Sequence, residues 1–244
     1  MAAPGWIEEL GLGRGARWPV MGVHADDGSW PVPVEPEVLA LRRRLAAEHP
    51  GCIAVLPAGE ALVAELVERF GGGDLVGLAT TQGDDLCLLA PEPGWPLVAG
   101  VVLFPSHWRL ADKVGRPLGE VHDWVPGYPS SQVDRFLDRL RPGQVVWRRN
   151  LLLHRDGELH APGARTDDVP VDRWWLRSER QTLRLLPSTG GVLFTIHTDT
   201  APLSDLDQDT RRALADHLEG LPATWGPYAG VGDHLPDLVA WLRL

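Results

Sequence analysis

Between Phe104 and Tyr128 the chain reads Phe-Pro-Ser-His-Trp-Arg-Leu-Ala-Asp-Lys-Val-Gly-Arg-Pro-Leu-Gly-Glu-Val-His-Asp-Trp-Val-Pro-Gly-Tyr, gathering two histidines, two tryptophans and one lysine. Lys113 is the sole lysine among 23 basic residues; all the others are arginine. A chain that uses arginine almost everywhere retains lysine where a compact ammonium with three donors and a movable pKa is required, or through coding bias and chance. Following an apolar run, the stretch reads as the wall of a binding pocket. A second polar cluster lies at Trp174–Leu186, where strand alternation puts Arg177, Glu179 and Gln181 on one face and Ser178, Arg180 and Thr182 on the other. So many polar groups need partners if the strand is buried, although a solvated sheet face would satisfy them equally.

The elements that must position these residues follow from periodicity and punctuation. Residues 1–34 have no sustained period and read as an arm. Pro36-Glu37 opens a helix with Val38, Leu41 and Leu45 as its apolar stripe behind Arg42, Arg43 and Arg44, closed by Pro50-Gly51. A second helix is expected from about Gly59 to Phe70, stopped by three glycines. The runs 85–90 and 97–104 flank Pro-Glu-Pro-Gly and predict an antiparallel hairpin. Ser130 or Ser131 is expected to cap a helix bearing Val133, Phe136, Leu137 and Leu140. Residues 144–154 read as one strand, and 174–186 with 192–198 as two more around Pro187–Gly191. Ser204 is expected to cap a helix to about Glu219, and a short helix closes the chain. Helices first, then mainly antiparallel strands, define an α+β protein with a central antiparallel sheet. The length suits one domain over 1–244, with the arm (about 1–34) before it and helices (about 204–244) after it.

A net charge of -10 and a pI near 5.3 argue against nucleic-acid or anionic-membrane partners. With no leader pattern and no bilayer-length apolar run, a cytoplasmic location is expected. Cys52 and Cys87 fit no metal spacing and read as reduced core residues. Eleven tryptophans would serve either an apolar cavity or a plain core.

The motifs Phe104-Pro-Ser-His-Trp-Arg-Leu-Ala-Asp-Lys-Val-Gly, Val121-His122, Val125-Pro-Gly-Tyr128, Arg177-Ser-Glu-Arg-Gln-Thr-Leu, Leu186-Pro and Val192-Leu-Phe-Thr-Ile together resemble the haem-dependent oxidative N-demethylases over roughly residues 20 to 203. The resemblance implies a PAS-like sheet with flanking helices that holds haem b for catalysis. It also implies a monooxygenase that removes a methyl group from a small secondary amine with O2 and NAD(P)H-derived electrons. The sequence has neither a Gly-rich dinucleotide fingerprint nor a cysteine cluster, so a separate reductase or ferredoxin, with flavin and iron–sulfur groups, would deliver those electrons.

Roles follow from that resemblance. Haem iron takes an oriented neutral imidazole or a thiolate. His122, followed by a proline-stiffened segment, is the expected axial ligand, with His107, His197 and His154 as competitors and Cys87 as the thiolate alternative; His24, His49, His160, His217 and His234 read as solvated. Arg177 or Arg180 would clamp a propionate, with Trp108, Trp124 and Tyr128 lining the cavity. Glu179 would hold a cationic amine or accept its proton, and Lys113 would donate to the oxygen. A purely structural Lys113–Glu179 ion pair is the competing reading of those two. A haem sensor without turnover and a haem-free binding protein are the competing readings of the whole.

Overall fold

A computed structural model describes residues 4–12, 22–26, 30–31, 34–163 and 168–244; parts of the expected N-terminal arm and of the loop before Asp168 lie outside the described residues. The protein is α+β. Eight strands form one antiparallel sheet: β1 (His24–Ala25), β2 (Ile53–Val55), β3 (Asp85–Leu89), β4 (Leu97–Val101), β5 (Val145–Arg149), β6 (Leu152–His154), β7 (Trp175–Leu185) and β8 (Val192–Pro202), in the order β1-β5-β7-β8-β3-β4-β2 with β6 also on β7. The helices are α1 (Pro36–Glu48), α2 (Glu60–Phe70), α3 (Leu75–Ala79), α4 (Leu118–Val121), α5 (Ser130–Leu137), α6 (Gln208–Glu219) and α7 (Leu235–Leu242).

Three apolar clusters hold these layers. One includes Leu45, Leu62, Leu66 and Leu78 from α1–α3 against Leu86, Leu88 and Val101. Another packs Leu214, Leu218, Leu238 and Leu242 of α6 and α7 against Leu153, Trp174 and Leu176. The third sets Leu137 and Leu140, with partly buried Leu118, Val133 and Phe136, against Leu89, Leu97, Val146 and Val192. The last cluster matters here because it faces the site.

Several expected boundaries shift for local reasons. Ser130 is the first residue of α5 rather than its cap, and Pro129 precedes it without a side-chain cap. Asp207, not Ser204, caps α6, its carboxylate accepting from the N–H of Thr210 at 2.8 Å, because residues 203–205 form a separate 3-10 turn. Arg42 does not ride on the outer face of α1 but is fully buried. Its guanidinium donates to the carbonyls of Ala79, Gly83 and Asp84 and lies 3.0 Å from Asp85. Burial pushes the Asp85 carboxyl up even though Arg42 and the N–H groups of Leu103 and Phe104 favour its anion. This cluster pins the end of β4, where the chain enters the 104–128 segment.

The expected strand over 144–154 is broken at Asn150-Leu151 while its register on β7 is kept: Arg149 faces Arg180 and Leu152 faces Arg177. At the break the Asn150 side-chain oxygen, rather than its carbonyl, accepts the N–H of Glu179 at 2.7 Å. The displaced Asn150 carbonyl is taken by the Ser178 hydroxyl at 2.7 Å. A side chain thus replaces one rung of the ladder, which keeps the Glu179 N–H and the Asn150 carbonyl paired.

Candidate functional site

A cavity of about 720 Å³ lies between the sheet and the α4–α5 segment, with Leu118, Val133 and Phe136 on one side and Gln181, Leu183 and Phe194 on the other. A smaller cavity of about 90 Å³ adjoins it and includes Ser106, Trp108, Lys113, Trp124 and Glu179 in its wall. The two share Leu89 and Leu118 as well as His122, Val125, Asn150, Gln181, Phe194 and Tyr228. The larger falls within the range of sites for cofactor-sized ligands, about 300–1,000 Å³. The smaller is several times the space of one ordered water, about 10–15 Å³.

His122 ends α4 and stands at the junction. Its Nδ1 is 2.9 Å from the Leu118 carbonyl, which only accepts, so Nδ1 carries the proton. The ring stacks on Tyr128 with centroids 4.5 Å apart and planes 6° apart. Burial lowers the imidazole's pKa to about 4, and the charges of Arg148 and Lys113 act in the same direction. The ring is therefore neutral at physiological pH, its tautomer is fixed, and Nε2 has no hydrogen-bond partner among the described residues. A neutral histidine oriented through its other nitrogen is the donor that iron uses.

Glu179 enters the small cavity from β7. Its Oε2 accepts from the amides of Asn150 at 2.8 Å and Gln181 at 3.1 Å, while Oε1 is 3.8 Å from the Arg177 guanidinium. Lys113 is on the same wall, and its Nζ is 3.6 Å from Asp123 rather than paired with Glu179, so the direct Lys113–Glu179 ion pair is not formed. With the Asp123 carboxylate largely exposed, that pairing is weak. Trp108 and Trp124 border this cavity, and Tyr128 the larger one.

Arg177 and Arg180 of β7, the two expected propionate partners, stand elsewhere. Arg177 is fully buried and borders neither cavity; its guanidinium donates to the carbonyls of Phe104 and Leu159, holding the first residue of the 104–128 segment in place. Arg180 is on the opposite sheet face, 2.7 Å from Asp26 and over the Trp147 ring. Strand alternation separates the pair as expected, but their donors serve structure rather than a cavity anion. Arg148 and Arg149, on β5, border the large cavity instead.

The competing histidines also separate. His107 is exposed; His197 is on the far sheet face against Asp84 at 2.7 Å; His154 bonds Ser106 at 2.9 Å. His24 is exposed as expected, stacked on Trp147 beside the large cavity, whereas His217, also expected to be solvated, is half-buried on that cavity's wall with its pKa lowered by burial. Cys87 borders the small cavity, but burial first, then the charges of Asp85 and Glu179, push its thiol far up, so it stands as a neutral thiol.

Periodicity places Gln181 on the Glu179 face without giving it a role, and it gives Asn150 and Tyr228 none either. Tyr228 lies beyond the motifs, near Trp124 and Trp225, with ring centroids 5.1 Å away in each case. Composition held a signal for it, since both tyrosines of the chain border the large cavity.

The fold and site define a class: an α+β protein whose sheet face carries a cofactor-sized apolar cavity with one oriented neutral imidazole. The family model for haem-dependent oxidative N-demethylase, alpha subunit-like, matches residues 74–236, and the chain belongs to that family. The match spans both cavities' contributions from Cys87 to Tyr228; residues 8–11 and 22–24, which also border the large cavity, precede it. Comparison with curated proteins gives no match. No described helix is long and apolar enough to cross a membrane.

The family's name implies haem, and the residues fit it. Among the described residues no cluster of three or more His, Cys, Asp or Glu side chains could hold a metal ion. A macrocycle that brings its own four nitrogens needs only one protein donor and apolar walls, and the unpartnered Nε2 of His122 on the wall of the large cavity fits that need.

Proposed function

We propose that this chain is the haem-binding subunit of an oxygenase that oxidatively N-demethylates a small secondary amine. The observation that carries the reading is the position of His122, a neutral, tautomer-fixed imidazole on the wall shared by a cofactor-sized cavity and a substrate-sized one. His122 would hold haem b in the larger cavity with Tyr128 bracing the ring, and Arg148, which shares the sheet face of Gln181, would face a propionate. When bound, haem supplies the iron at which O2 is reduced.

The chain's own residues set the rest. The overall change is insertion of one O2 oxygen into an N-methyl C–H bond, the other leaving as water with two electrons and two protons, after which the carbinolamine collapses to amine and formaldehyde. Glu179, held by Asn150 and Gln181, anchors the amine cation in the small cavity. Lys113 carries an exchangeable proton on the same wall, while Trp108 and Trp124 narrow the space and displace water. In this reading electrons arrive from a separate NAD(P)H-dependent flavin and iron–sulfur module.

The test is NADPH oxidation by a supplied reductase in the presence of dimethylamine, read as formaldehyde. Amine-dependent formaldehyde from the haem-loaded protein is expected. A protein that binds haem one-to-one and yields none with any small methylamine would be a sensor instead.

A further inference from the structure

Ser106 takes no part in the chemistry above, yet it is built with care. It is 5% exposed and borders the small cavity, while its hydroxyl lies 2.9 Å from Nε2 of His154, itself 3% exposed. Burial, then the charge of Arg177, lowers the His154 imidazole to about 2, so it is neutral and carries one ring proton. The His107 ring stacks on it with centroids 4.5 Å apart, and His107 adopts a left-handed φ of 61°. Such backbone costs energy in a non-glycine residue and is kept where the surroundings enforce it. Here two backbone bonds enforce it: the His107 N–H reaches the Ala161 carbonyl at 2.6 Å and the Ala161 N–H reaches Pro105 at 3.1 Å. Strain, bridge and ring stack together fix Ser106 between a buried base and the cavity.

Resting on the amine reading, we infer that Ser106 is a specificity-determining residue whose hydroxyl is tied to His154 and presents an oxygen lone pair to one N–H of the substrate, Glu179 taking the other. A dialkylammonium has two N–H donors and satisfies both acceptors. A trialkylammonium has one and leaves a buried acceptor unpaired; a quaternary ammonium has none. Lys113 adds a positive charge to this wall, offset by Asp123, and so does not supply the selectivity for N–H number.

The experiment is a titration of purified protein with dimethylammonium and trimethylammonium, followed by calorimetry and by ligand-observed NMR, in wild type, Ser106→Ala and Ser106→Cys. The expected result is a roughly tenfold or greater weakening of dimethylammonium in both variants, with trimethylammonium changed less than threefold, so that the preference collapses; a hydrogen bond to a charged group is worth that much. His154→Phe, which removes the hydrogen-bond partner that orients the serine hydroxyl, should weaken dimethylammonium in the same sense. If selection were by volume alone, Ser106→Ala would instead tighten trimethylammonium and leave dimethylammonium alone, and that result would overturn the inference. An unchanged ratio in folded Ser106→Ala and Ser106→Cys would overturn it too. These titrations read amine rather than haem, so failure to bind haem and failure of Ser106 to discriminate are separate outcomes.

Discussion

The two faces of the central sheet treat histidine in opposite ways. On the cavity face, His122 and His154 are kept neutral: burial lowers both, and neighbouring cations add to it. On the other face, His197 has its pKa raised, because although burial would lower it, the hydrogen bond and charge of Asp84, with Asp199 beyond, outweigh that effect. The same division holds for the arginines and carboxylates. The far face carries linked pairs, Arg149 with Glu9 and Asp199 and Arg180 with Asp26, while the cavity face carries one carboxylate held by amide donors. One strand supplies both environments simply by alternation, with Glu179 and Gln181 on one side and Arg180 and Thr182 on the other. A network that neutralises itself is suited to holding strands together; isolated, oriented groups in an apolar space are suited to chemistry.

That comparison can be broken at its strongest point. Arg177 is fully buried and ties β7 to Phe104, so Arg177→Met should cost on the order of 3–5 kcal/mol, read by urea unfolding, because it leaves carbonyls and Glu179 without their cation. By contrast Glu179→Gln should leave folding and haem binding intact, since Asn150 and Gln181 can still donate to the amide oxygen, and lower amine turnover by about a hundredfold or more. Loss of folding in that variant would make Glu179 a structural residue.

Acidification sharpens the contrast. His122 and His154 bind protons less readily folded than unfolded, so their contribution to apo-protein stability is complete above the unfolded value near 6.5 and is lost as pH falls, towards about 4 for His122 and about 2 for His154. His197 behaves oppositely: its contribution is complete below about 6.5 and fades as pH rises through its raised folded value. Thermal melts across pH 4–8 should therefore have a shallower acid-side slope in His154→Phe, His122 supplying the remainder, and a shallower alkaline-side slope in His197→Gln. The smallest effect is expected at Arg180, which is partly exposed: Arg180→Met should cost about 1 kcal/mol or less and leave amine turnover unchanged.

Much of this division was legible in the sequence. The alternation of β7 put Glu179 and Arg180 on opposite faces, and the 104–128 motifs brought His122, Trp108 and Lys113 to one place, because local periodicity and contiguous motifs report such groupings directly. What escaped was set by distance along the chain. Arg42 reads as an exposed helix residue until Asp85 and three carbonyls of the 79–84 segment meet it. Arg177 reads as an anion clamp until the carbonyl of Phe104 claims it. Asn150 sits in what periodicity draws as an unbroken strand, and only its side-chain substitution for a ladder rung reveals the break. Tyr228 arrives from a C-terminal loop with no period of its own.

The central claim is that haem is held through His122, and the most direct measurement is the absorption spectrum of haem-titrated wild type and His122→Gly in ferric, ferrous and CO-bound states, with and without imidazole. The account predicts a one-to-one Soret band in wild type that shifts with CO, its loss or alteration in His122→Gly, and its return when imidazole fills the vacated space. A His122→Gly protein with the wild-type spectrum would assign the iron to another ligand, and a wild-type protein without a stoichiometric band would contradict haem binding in this cavity.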